Sequence, residues 1–145
     1  MKPICLIFTL LITSFSLQAQ TDPYDQMKAK YDSLSNEEKY EEALVTAKQM
    51  NAWALENESD TSLRYAVSLR NIGNCFDDLY YNDSTLKYWD SSLTVLNSQK
   101  RAHHIETANV YSNLADYYFY LNELNKELNY NNLSLNIYVD NLGSS

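Results

Sequence analysis

Few residues in this chain belong to the types that do covalent or acid–base chemistry, so their spacing decides what they are worth. His103-His104 is the one histidine pair. Neighbours on a helix point about 100° apart, so two such imidazoles do not converge on a single ion. No His-x-x-x-His, Glu-x-x-His or paired-cysteine spacing adds further ligands. Glu37-Glu38, Glu41-Glu42 and Asp77-Asp78 are carboxylate pairs, the raw material of general acid–base work. At helical spacing, such runs form a solvated face. The only glycines are Gly73 and Gly143, so there is no glycine-rich loop to cradle a phosphate. Cys75 sits in a helical apolar stretch and is expected to be a small buried hydrophobe. The expectation is a protein that is not an enzyme and holds neither metal nor cofactor.

The elements behind these residues follow from composition. In 145 residues there are 2 Gly and 2 Pro, which leaves helices as the natural way to fill the length of one domain. A net charge of −8 excludes a nucleic-acid partner, because affinity for phosphate backbones comes from clustered Lys and Arg. At the N-terminus Lys2 precedes an apolar run from Ile4 to Ile12, and Leu17-Gln18-Ala19 offers a small residue for cleavage. The run is too short to cross a bilayer about 30 Å thick. Residues 1–19 are therefore expected to be a cleaved signal peptide, leaving residues 20–145 as an exported domain, periplasmic or secreted, with no membrane attachment. Cleavage takes away one lysine and no acid, moving the net charge from −8 to −9. It also removes Cys5, so Cys75 has no partner for an internal disulfide.

The remainder repeats with a period of 42. That step aligns Leu44, Leu86 and Leu128; Trp53, Val95 and Ile137; Met27, Leu69 and Tyr111; and Leu34, Phe76 and Tyr118. Apolar character persists at matched positions while the residues between them vary, the mark of a stacked repeat. Within a unit the period is helical: Ala66, Leu69, Ile72, Gly73, Phe76 and Leu79, then a break, then Leu86, Trp89, Leu93 and Leu96. Asp22-Pro23 reads as a cap followed by Pro at the first helical position. Asn82 or Asp83 is expected to cap the fourth helix, and Ser35 with Glu38 to form a capping box. The third unit breaks at Asn122, with Glu123 opening the next helix. Six helices are expected.

These residues resemble the tetratricopeptide repeat. In the second unit Leu69, Ile72, Gly73 and Phe76 stand at the family's large–large–small–aromatic positions, with Thr85, Trp89 and Ser92 at the small–aromatic–small positions of the second helix. The third unit has Tyr111, Leu114, Ala115 and Tyr118, then Glu127, Asn131 and Ser134. The first has Met27, Tyr31 and Leu34 ahead of Tyr40-Glu41-Glu42-Ala43-Leu44. Tyr31 and Glu127 depart from the pattern by standing where a small residue is usual. The spacing is longer than the family's 34 and is similar to that of kinesin light chains. It also resembles bacterial arrays fused to CHAT-type proteases or sensor histidine kinases. The resemblance implies an all-α fold, a right-handed α-solenoid of about three helix-turn-helix hairpins, with units near 22–58, 60–100 and 102–142. It further implies a non-catalytic scaffold that binds a protein or peptide; the alternative is the N-terminal sensor or docking part of a larger signalling protein.

In this family the first helix of each unit lines a concave groove. The corresponding stripe here carries Arg70, Asn71, Asn74, Asp77 and Asp78, and continues as Asn109, Ser112, Asn113, Asp116 and Tyr120. The resemblance makes these the peptide-binding residues: polar, amide-rich and mildly acidic, with an aromatic end. The lysine-and-asparagine clamp of chaperone-tail-binding repeats is not matched. Its positions read Lys28, Asp32, Asn71, Asn109 and Asn113, and Asp32 would repel a terminal carboxylate.

Among the 13 tyrosines, Tyr118 is expected in packing and Tyr120 at an interface or in the groove. Solenoids need a polar cover on their last hydrophobic face. Asn129, Asn131, Asn132 and Asn136 would supply one; otherwise the array continues in further residues, or the C-terminal hairpin pairs with a second copy as a homodimer.

Overall fold

The computed structural model describes residues 22–102 and 104–143. The proposed signal peptide and His103 lie outside the described residues. Six helices follow one another: α1 (Pro23–Asn36), α2 (Tyr40–Asn57), α3 (Leu63–Asp78), α4 (Asn82–Ser98), α5 (Ile105–Tyr120) and α6 (Leu124–Gly143). They pack as consecutive antiparallel pairs, and no strand occurs among the described residues. No described helix is long and apolar enough to cross a membrane.

The 42-residue period is written into the backbone. The odd helices end at Asn36, Asp78 and Tyr120, and the even ones start at Tyr40, Asn82 and Leu124, each set 42 apart. Every hairpin turn contains one left-handed residue: Glu38 at φ 58°, Tyr80 at 63° and Asn122 at 59°. The residue after it donates its backbone N–H to a carbonyl five positions back. These bonds are Lys39 to Leu34 (2.9 Å), Tyr81 to Phe76 (2.8 Å) and Glu123 to Tyr118 (2.9 Å). This is a Schellman closure, which satisfies carbonyls left open at a helix end. Glycine usually fills the left-handed place, and none of these turns has one.

The closure overturns two capping expectations. Lys39 and Tyr81 end one helix as donors and start the next as N-caps, and neither side chain caps. Ser35 is still inside α1, and Asn82 is already inside α4. With so short a turn, no residue is left over to serve as a Ser or Asp cap. α3 and α5 follow longer connections, and all three odd helices are capped by side chains. Asp22 accepts from Tyr24 N, Ser62 from Tyr65 N, and His104 Nδ1 from Glu106 N.

Two apolar clusters hold the pairs together. The first joins α1, α2 and the end of α3 through Tyr24, Tyr31, Leu34, Met50, Ile72 and Cys75. The second joins α3, α4 and α5 through Ala66, Trp89, Leu96, Val110, Leu114 and Tyr117, with Tyr130 of α6 against it. Cys75 is free and 1% exposed, and burial pushes its thiol up to about 12, so it acts as a core hydrophobe. Ser92 donates to the Ala66 carbonyl and Ser134 to that of Ala108, again 42 apart.

The seams between pairs differ. α2 lies along α3, and Arg64 ties this end further by pairing with Asp22 (2.9 Å) and Glu58 (3.2 Å) while lying over Tyr24. α4 meets α5 over a shorter stretch.

Candidate functional site

Amide and carboxylate side chains gather where α1, α3 and α5 run side by side. Two adjoining clefts open there. The inner one, about 200 Å³, is bounded by Ser35, Asn74, Asp77, Asp78, Asn113 and Asp116, with Trp89 behind. The outer one, about 490 Å³, has Tyr40, Tyr80, Tyr117, Tyr120 and Leu121 as walls beside Asn82. Asp77 and Asp78 line both, so the two form one surface with acid at the joint.

The floor is fixed by amides. Asn74 Oδ1 accepts from the Trp89 indole (2.9 Å) and from Asn113 Nδ2 (2.6 Å), which locks α3, α4 and α5 together at this level. The acids are different. Among the described residues no cation pairs with Asp77, Asp78 or Asp116. Burial, then the negative charges of Asp78 and Asp116, raise the Asp77 carboxyl to about 6. Burial also raises Asp78. Tyr120 stands 82% exposed at the rim, a large aromatic face in solvent. Chemically the cleft offers the negative charge of a half-buried Asp77 beside the exposed Asp78 and Asp116, flanked by aromatic faces, which favours a cation.

The sequence stripe divides. Asn74, Asp77, Asp78, Asn113, Asp116 and Tyr120 line the clefts. Asn71 does not: it is 2% exposed, with the Tyr31 hydroxyl of α1 reaching its backbone carbonyl. Arg70 is drawn aside to Glu106, 3.1 Å away and equally sheltered. Asn109 accepts from the Tyr138 hydroxyl of α6 at 2.7 Å, and Ser112 is half-buried outside both clefts. Sequence reasoning missed Ser35, Tyr40, Tyr80, Tyr117 and Trp89. Ser35 shares a repeat column with Asp77, so the 42-residue alignment carried a signal for it. Tyr80 carried none, since its place depends on a left-handed turn without glycine.

Tyr118 packs, stacking on Tyr130 with ring centroids 5.6 Å apart, and Tyr117 is buried against Trp89. Among the described residues no group of three or more His, Cys, Asp or Glu is arranged to hold a metal ion. No protein-family model and no curated protein matches this chain.

Proposed function

We propose that the chain is an exported, non-catalytic scaffold of the tetratricopeptide-repeat kind, a right-handed α-solenoid that binds a protein or peptide segment carrying lysine or arginine in the α1–α3–α5 cleft. The observation that carries this reading is the joint of the two clefts. Asp77, half-buried, and Asp78, more open to solvent, sit there without a cation, between aromatic walls. A lysine or arginine entering would relieve the repulsion among Asp77, Asp78 and Asp116 and lie against tyrosine faces. The amides of Asn74 and Asn113 keep the floor rigid, which lowers the ordering cost of binding. Export rests on Lys2 and the Ile4–Ile12 run.

The test is calorimetric titration of the folded chain with three twelve-residue peptides of equal length: lysine/arginine-rich, neutral and glutamate-rich. The basic peptide is expected to bind, weakening at least tenfold in the Asp77→Asn/Asp78→Asn double variant and with added salt. Equal binding of the neutral or acidic peptide, or no binding of any, overturns the reading.

A further inference from the structure

The last helix has two apolar sides. Ile137 and Ser134 are its buried residues and face α5. Nine positions at about 100° each put Leu128 on the opposite side from Ile137. There Leu124, Leu128, Leu135, Val139 and Leu142 form one stripe, each between 57% and 78% exposed. The asparagines at Asn129, Asn131, Asn132 and Asn136 are exposed too, but they flank or interrupt this stripe and do not replace it.

We infer that this stripe is a self-association surface on which a second copy of the chain packs its own α6 antiparallel, about a two-fold axis between Asn131 and Asn132. The spacing itself is palindromic. Leu124 and Val139 lie equally far from the midpoint between those asparagines, as do Leu128 and Leu135, and as do Leu142 and Leu121 in the turn ahead. A two-fold antiparallel pair therefore sets Leu128 against Leu135 of the other copy, Leu124 against Val139, and amide against amide at the centre. An isologous contact requires that kind of self-complementarity.

Three further observations select this occupant. On α4, whose corresponding leucines Leu86 and Leu93 pack against the second cluster, the positions matching Leu124, Val139 and Leu142 are Asn82, Asn97 and Lys100. Covering by a following hairpin needs no apolar residue there; a helix lying along the whole of α6 does. A head-to-tail stack would seat the stripe on the outer face of α1, but that face is Gln26, Lys30 and Ser33. The α6 stripe also carries no charge of its own, so two copies of a chain with net charge −8 approach there without local repulsion. The five side chains offer roughly 500–600 Å² per copy, at the low end for a specific interface.

Sedimentation equilibrium of the folded chain across the micromolar range is expected to show a monomer–dimer equilibrium. Leu128→Glu and Leu135→Glu, both at exposed positions, are expected to weaken dimerisation at least tenfold with unchanged helical circular dichroism. Mixing Leu128→Cys with Leu135→Cys chains under mild oxidation should crosslink the mixed pair in preference to either alone. A chain that stays monomeric throughout, or crosslinks Leu128→Cys to itself preferentially, overturns the inference.

Discussion

The first and second hairpins solve one packing problem in opposite ways. In the second hairpin Gly73 of α3 lies against Trp89 of α4. The matching positions of the first hairpin, 42 residues earlier, are Tyr31 and Ala47, which share one apolar cluster. All four are buried, and each pair combines one large aromatic with one minimal side chain. The aromatic has changed helices. Tyr31 stands where the repeat has glycine in the second unit, and Ala47 is the small residue at the column that holds Trp89 there. The repeat preserves the summed volume of the pair, as close-packed interiors demand. The third hairpin does neither: its pair is Ala115 and the exposed Asn131, and the tyrosine stack of Tyr111, Tyr118 and Tyr130 does the filling.

Breaking the large partner should have the largest effect. Trp89→Ala removes a side chain 1% exposed together with its bond to Asn74, and is expected to cost about 3–5 kcal/mol in urea unfolding. Asn131→Ala, at the same repeat position in α6, should stay within about 0.5 kcal/mol. Filling the small side comes next. A Cβ at Gly73 would lie 2.5 Å from Trp89 Cδ1, so Gly73→Ala is expected to cost about 1–3 kcal/mol. The comparison is sharpened by Gly73→Tyr with Trp89→Ala, which rebuilds the first hairpin's solution in the second. That double variant should be more stable than the sum of its singles predicts, by about 0.5–3 kcal/mol of coupling. Simple additivity would contradict the exchange of volumes.

The hairpin turns give a smaller contrast. Glu38 holds a left-handed φ of 58° without the freedom of glycine, and Asn122 holds the same φ with a side chain that tolerates it. Glu38→Gly should therefore raise stability by about 1 kcal/mol in thermal unfolding, and Asn122→Gly by a few tenths. The pH dependence of Asp77 runs opposite to that of an ion-paired carboxylate. Its folded carboxyl is raised to about 6 from 3.8, so between those values the folded chain holds a proton that the unfolded chain has lost. Stability contributed by this group falls as pH rises from 4 to 6 and is level above. Asp77→Asn should raise the melting temperature at pH 7.5, with the advantage shrinking as pH drops through that window.

The helices were legible because apolar positions recur within each unit and again at 42, and the helix boundaries keep that step. Capping was misread at Ser35 and Asn82 because the donor that closes one helix is also the first residue of the next. Such economy leaves no mark in residue types. The cleft was legible where the stripe runs clear of its neighbours, from Asn74 to Asp78. It failed one turn earlier, at Arg70 and Asn71, where Glu106 and Tyr31 reach across from the flanking helices. Helical periodicity assigns a residue to a side of its own helix; which neighbour covers that side depends on residues about 40 positions away.

We propose that the cleft shared by α1, α3 and α5 takes a cationic segment. The most direct measurement is nuclear magnetic resonance of the nitrogen-15-labelled chain titrated with the lysine/arginine-rich peptide. The largest shifts are expected on Asn74, Asp77, Asp78, Asn113, Asp116 and Tyr120, and they should disappear in the Asp77→Asn/Asp78→Asn variant. Shifts confined to α2, α4 or α6, or none at millimolar peptide, would contradict it.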